Sequence, residues 1–438
     1  MKKYFNDISR GFLAKSARLN TANLGLKILS GIIISKCIAI YIGPYGMALI
    51  GNLKNFINAV QSVAISGLYS GVVKFISQIK ENLSKLSEVL STVFYLGFFS
   101  SFLLALLCYY NAETLNELLF FSEYRFTNII KALAIVLPFY ALNMFVFSIM
   151  NGFSKHKYLL IINTIGQVLG LLVTVLLIVR ENITGALLAI VISPALNLLI
   201  TIVGIAFRKS FISRIKLSNV SLSVVKTLSP NMVMALVSAV ALPIVMIIIR
   251  NYLVAEVGIY QAGYWTAMTR VSEYYLMFIN SLMLLYILPR FSKIESKSAF
   301  KKEVFWFYKS IMPAFVLMLF VIYLSRSLLV RLMFSEEFQD VEHLFGYQIL
   351  GDIMRILASV IVYKFLLKKM FGHYIILEIF LFVTMCFSSI YLIDEFGLKG
   401  AVMGHFVSYL IYFAIVLLIF NNSLFGILSR EELEETNP

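Results

Sequence analysis

The 438-residue chain is 60% hydrophobic, with a mean hydropathy of +0.88 and 14% charged residues. Apolar runs of twenty or more residues recur from end to end, which excludes a soluble globule and the alternating ten-residue segments of a barrel. The net charge of +14 falls in short connections between these runs, where it reads as a topology signal and not as a nucleic-acid surface.

In chain order, the basic N-terminal stretch of residues 1–27 lacks the short apolar run and cleavage site of a secretory signal, so the first span is expected to be retained. Apolar windows then predict twelve transmembrane helices: 22–42, 44–70, 88–110, 127–150, 158–180, 184–206, 222–250, 261–288, 306–328, 343–365, 372–393 and 398–421. With the N-terminus inside, the inner connections and tail hold 23 lysines and arginines. The outer connections hold 6, namely Arg125, Arg180, Arg250, Arg326, Arg331 and Lys399. That asymmetry predicts both termini in the cytoplasm. The expected organisation is a six-helix bundle over 1–206, a polar cytoplasmic linker at 207–221, a second six-helix bundle over 222–421 and a cytoplasmic tail at 422–438. The connections leave no room for a soluble catalytic domain, and neither an enzymatic role nor a cofactor is expected. Cys37, Cys108 and Cys386 stand alone, without metal or disulfide spacing. Among the prolines in or beside spans, Pro243 lies deepest and is the best candidate for a functional bend.

The stretch from Gly46, GMALIGNLKNFINAV, shares a plan with that from Gly258, GIYQAGYWTAMTRVS. An offset of about 212 residues pairs Gly46 with Gly258 and Gly51 with Gly263, and brings Lys54 within a turn of Arg270. Six spans per half predict parallel repeats related by an axis along the membrane normal, with a cleft between bundles that can open alternately to the two faces.

A lysine or arginine at the centre of a bilayer costs about 2.5–3.5 kcal/mol on the insertion scale, so several in one chain require an aqueous or protein-lined interior. The central candidates are Lys54, Arg270, Glu273, Asp352 and Arg355, with Lys36 intermediate. Lys27, Lys131, Lys226, Lys309 and Glu378 lie near helix ends, where long side chains reach water. Arg270 with Glu273 and Asp352 with Arg355 are spaced i,i+3, and each pair can neutralise itself in part. The acids Asp352 and Glu273 can also serve in coupling, protonated in one state and ion-paired in another. Lys54 and Lys36 have no acid on their own helices, leaving four cations against two acids. This excess suits an anion, and its spread over several helices suits a large phosphorylated ligand. Tyr264 and Tyr274 offer flat faces with a hydrogen-bonding edge to a sugar. The chain has no GxxxxGK[ST] motif and no filter-like TVGYG run, which disfavours an ATP-driven pump and a channel of that kind. A secondary carrier or flippase remains.

The segments IYIGPYGMALIGNLKNFINAVQSVAISGLYSGVVKFISQ, EVGIYQAG with YYLMFINSLMLLYILPRFSK, and MFSEEF followed by LFGYQILGDIMRI together resemble the lipid-linked oligosaccharide flippases of Gram-negative bacteria. These are the O-antigen and enterobacterial common antigen translocases, in the superfamily that also holds multidrug exporters. The resemblance implies two six-helix bundles in a V around a central cavity, in the bacterial inner membrane. It implies transfer of an undecaprenyl-diphosphate-linked repeat unit to the periplasmic leaflet, with the diphosphate at lumenal cations and the polyprenyl tail in membrane lipid. Lys54, Arg270, Arg355 and Lys36 would then meet the headgroup, with Tyr264 and Tyr274 near the sugar. Coupling to protons or sodium and association with an O-antigen polymerase and chain-length regulator go with this reading. The richness in Lys, Ile, Phe and Asn inclines it to O-antigen over the common antigen. An ion-coupled multidrug exporter and a non-transporting scaffold for glycan polymerisation stay open as alternatives.

Overall fold

The computed structural model describes residues 2–65, 72–73, 75–76, 82–205, 215–291, 294, 296–367 and 370–424. Among them the regular elements are α-helices and short 3-10 turns. The helices are α1 (Lys2–Tyr41), α2 (Pro44–Ala64), α3 (Leu83–Tyr110), α4 (Ala112–Phe120), α5 (Thr127–Gly152), α6 (His156–Ile205) and α7 (Leu222–Glu256). They continue with α8 (Ile259–Phe291), α9 (Lys297–Ser310), α10 (Met312–Leu324), α11 (Arg326–Met333), α12 (Phe345–Leu367), α13 (Phe371–Phe396), α14 (Leu398–Ile419) and the short α15 (Asn421–Leu424). Among the described residues nine helices are long and apolar enough to cross a membrane. The protein is therefore an all-α polytopic membrane protein. One of the nine, Lys157–Val203, takes in the windows 158–180 and 184–206. The described part of window 44–70, which reaches residue 65, and window 261–288 fall on α2 and α8, which lie outside the nine and carry polar and charged residues in their bodies; residues 66–70 lie outside the described residues.

Backbone packing divides the chain into two compact units, Met1–Ile42 with Leu49–Ile244, and Gly43–Ala48 with Val245–Pro438. In the first, α3 packs on α5, α5 on α6 and α6 on α1. Polar side chains tie its helices together: Asn52 donates to the Leu119 carbonyl (3.0 Å), Ser100 to the Ala64 carbonyl (2.6 Å) and Thr201 to Asn143 Oδ1 (2.7 Å). Helices in lipid gain little from apolar contact alone, so such bonds and close packing hold them. The described end of the polar segment before α7 is bonded to α3. Lys216 N donates to Ser91, Asn219 Nδ2 to Ser87 and Ser221 N to Thr92, at 2.8–3.0 Å. Val224 and Leu228 then enter an apolar core with Val72, Ile76, Leu86, Val89, Leu90, Val93 and Ile149. This anchoring is why the first stretch of α7 belongs to the first unit.

In the second unit α13 packs on α14, and α12 packs on both α14 and α8. Helix starts expose the internal repeat. Gly43 (φ 83°) immediately precedes α2 and Gly258 (φ 124°) immediately precedes α8, while Asn182 (φ 49°) breaks α6 and Gly397 (φ 57°) precedes α14. Both pairs are 215 residues apart. The same spacing relates Gly185, which packs against the Leu177 carbonyl, to Gly400, which packs against the Leu392 carbonyl. The register of 212 read from Gly46 and Gly258 is thus corrected to 215, because the left-handed residue at each helix start, and not the later helical glycine, is the repeated feature. In that register Lys54 corresponds to Thr269, next to Arg270.

Candidate functional site

Three helices of the second unit each carry a polar stripe at helical spacing. On α8 it includes Ser272 and Tyr275, spaced i,i+3. On α12 it is Gln348, Asp352 and Arg355, spaced i,i+4,i+7. On α14 it is His405, Ser408, Tyr409 and Tyr412. Asp352, fully buried, is the point where the stripes meet. Its Oδ2 accepts from Ser272 Oγ (2.6 Å), Tyr275 OH (2.5 Å) and Gln348 Nε2 (3.3 Å), and its Oδ1 lies 3.0 Å from His405 Nε2. A carboxylate out of water costs several kcal/mol unless paired and hydrogen-bonded, and here one carboxylate draws donors from three helices. Gly351, one residue earlier, lets His405 sit against the α12 backbone where any Cβ would collide with the imidazole.

The expected pairing of Asp352 with Arg355 takes a different form. The group at ion-pair distance from Asp352 is His405, while the half-buried Arg355 places its guanidinium over the Tyr409 ring, 5.5 Å from the centroid. Arg355 feels Asp352, Glu378 and Glu273 electrostatically. The His405 ring stacks edge-on against Tyr409 at 4.8 Å, and Tyr412 donates to Glu378 Oε1 at 3.1 Å. Glu378, assigned from sequence to a helix-end position, is half-buried and belongs to this cluster.

A second group lies where α7 meets α8. The sequence windows put Arg250 in an outer connection, but α7 runs on to Glu256 and leaves Arg250 inside, 2% exposed. Its Nε donates to Thr266 Oγ1 at 2.8 Å and its guanidinium covers the Trp265 ring at 5.2 Å, which explains how the charge is tolerated. Arg270 and Glu273 act on it electrostatically. Arg270 itself is buried, Glu273 exposed, and Tyr264 and Tyr274 half-buried, with Tyr264 edge-on to Phe338 at 5.8 Å. Lys36 on α1 and Lys54 on α2 are half-buried members of the first unit. Among the described residues of the second unit, Arg250, Arg270 and Arg355 thus lie within electrostatic reach of Glu273, Asp352 or Glu378. In the 215-residue register, Gln348, Asp352 and His405 correspond to Leu133, Leu137 and Ile190, so the polar junction is a specialisation of the second repeat.

A model of the family described as polysaccharide biosynthesis protein matches residues 45–343. The chain belongs to this family. Its relatives include the lipid III flippases of Escherichia coli (strain K12) and Shigella flexneri, each 27% identical over 414 residues that cover 92% of this chain and 97% of the relative. Among solved structures, the lipid II flippase MurJ in an inward closed conformation is similar with a TM-score of 0.71 and 14% identity, over 93% of this chain and 87% of that one. A multidrug resistance MATE family transporter of the MOP superfamily, inward-facing, has a TM-score of 0.64 and 16% identity, over 92% of this chain and 94% of that one. This family member has the fold those transporters share. The family model ends near His343, so it covers Arg270 and Glu273 and stops short of Asp352, Arg355 and His405.

Proposed function

We propose that the protein is a flippase that moves a lipid-linked oligosaccharide across the membrane by alternating access. The observation that carries this reading is the near full-length similarity to the lipid III flippases, joined to a membrane interior furnished with cations on several helices. Of the two cargoes weighed from sequence, those relatives favour the enterobacterial common antigen unit over the O-antigen unit. The proposed architecture is twelve spans in two six-helix bundles, 1–206 and 222–421, forming a V in the inner membrane with both termini cytoplasmic. The fold shared with MATE transporters leaves drug export as the competing reading.

On this reading Lys54, Lys36, Arg270 and Arg355 hold the diphosphate, since several cations share its oxygens better than one and arginine engages two at once. Tyr264 and Tyr274 meet the sugar, and Asp352 and Glu273 serve coupling to protons or sodium. Deletion of the gene should accumulate lipid-linked repeat units at the cytoplasmic face, with reversal on expression of this chain. Restored display of common antigen but not O-antigen assigns the cargo. Unchanged glycan display with altered drug susceptibility rejects the flippase reading in favour of export.

A further inference from the structure

Helix α9 presents two different faces. Phe300, Val304 and Phe307, spaced i,i+4,i+7, are buried, with the Lys364 ammonium 4.0 Å above the Phe300 ring. Lys302, Phe305, Trp306 and Lys309, spaced i,i+3,i+4,i+7, are all exposed on the opposite side. The indole of Trp306 is held in place by Arg290, whose guanidinium lies 4.9 Å from the ring centroid while it pairs with Glu303 at 2.9 Å. Ser296 caps the helix by accepting from Ala299 N at 3.1 Å.

The depth of this face follows from length. The apolar segment Lys297–Leu324 has 28 residues, whereas about 20 helical residues, or roughly 30 Å, cross the hydrocarbon. Its far end is marked by Arg326, whose guanidinium covers Tyr323 at 4.6 Å. Counting about 20 residues back from there reaches Phe305 and Trp306. Aromatic rings with amphipathic character settle at the headgroup level, and lysines one turn to either side reach the phosphates. We infer that the Lys302, Phe305, Trp306 and Lys309 face of α9 docks anionic phospholipid headgroups, phosphatidylglycerol in kind. One lysine on either side of two rings complements a negative headgroup above acyl chains, and the exposed rings match the lipid interface better than the surface of a soluble partner. The inference does not depend on what the protein transports.

Trp306 and the buried Trp265 are the chain's two tryptophans, so fluorescence lost in Trp306→Phe is the signal of this face. The full-length protein is reconstituted in phosphatidylcholine vesicles containing a minor fraction of phosphatidylglycerol, with bromine on the acyl chains of one lipid or the other. Brominated phosphatidylglycerol should quench the Trp306 signal more than its mole fraction predicts. Lys302→Gln with Lys309→Gln should remove that preference, by roughly fivefold in relative lipid affinity for each lysine, and the double arginine variant should keep it. Both lysines are exposed, and size exclusion before reconstitution verifies folding. Equal quenching by the two lipids, or a preference that survives in the glutamine variant, overturns the assignment. Loss of the preference on adding traces of an isoprenoid diphosphate would transfer the face to the cargo and also overturn it.

Discussion

At the scale of single residues, Asp352 is held by donors and not by a neighbouring arginine, and this decides what its substitutions should do. Tyr275→Phe removes one charge-assisted bond to Oδ2 and should cost about 1.5–3 kcal/mol of stability, measured as a lowered unfolding midpoint in detergent. Ser272→Ala should cost a similar amount, and the double change less than the sum, because both hydroxyls serve one oxygen. Asp352→Asn keeps the shape but presents an amide to one of the donor sets. If the carboxylate serves state switching, that variant inserts normally and transport per inserted molecule falls at least about tenfold, equivalent to roughly 1.4 kcal/mol on the barrier. Full activity of Asp352→Asn would restrict the residue to a structural part. For Arg270 the decisive set is Arg270→Gln, Arg270→Lys and Arg270→Gln with Glu273→Gln, each scored as flux per inserted molecule. Strong loss in the first, partial retention in the second and no rescue in the third are expected from an anchoring cation. Rescue by the double neutralisation would instead make the pair structural.

At the scale of elements, the helices were readable and their partners were not. Apolar windows fall on the helical segments because membrane spans satisfy their own backbone, so length and hydropathy are local properties. The break at Asn182 was readable too, since the polar run RENITG interrupts two apolar windows. By contrast, window boundaries place Arg250 in an outer connection and Glu378 near a helix end, and a boundary carries no information about the face a residue occupies. The usable signal was the shared spacing of polar residues within each helix: Ser272 with Tyr275, Gln348 with Asp352, His405 with Tyr409. What joins those stripes is packing between helices 77–80 residues apart for α8 and α12, and that is invisible to a window. The repeat supplies an element-scale prediction. Gly185 and Gly400 occupy equivalent turns, each against a backbone carbonyl that cannot move aside. Gly185→Val and Gly400→Val should both lower the yield of folded protein in detergent, as read by size exclusion, whereas Gly170→Val, at a position with nothing within 4 Å, should not.

At the scale of the whole molecule, the open question is which way the chain faces, and the charge pattern supplies the expectation. Lysine and arginine crowd one set of connections, and moving those segments across an energised membrane is opposed, so the crowded side is expected to stay inside. The re-entry of Arg250 into the interior removes one of six charges from the outer set and sharpens the bias. The twelve-span reading places 113–123 and 336–342 outside and 294–302 inside. The test begins from a background in which Cys37, Cys108 and Cys386 are replaced, because all three are free thiols. Single cysteines at exposed sites are then introduced: Glu117→Cys and Asp340→Cys for the outer set, Lys302→Cys for the inner. An impermeant maleimide added to intact cells with a permeabilised outer membrane should modify the first two and spare the third, and all three should react after the inner membrane is opened. Modification of Lys302→Cys together with protection of Glu117→Cys and Asp340→Cys in intact cells would invert the orientation. It would also move the α9 face to the opposite leaflet and require the proposed cargo to travel the other way relative to these helices. Because α9 (Lys297–Ser310) leads into the ninth expected span, 306–328, its labelling also tests the count. One span more or fewer between residues 117 and 297 would expose Lys302→Cys while leaving Glu117→Cys unchanged, a pattern distinct from whole-chain inversion, in which both exchange sides.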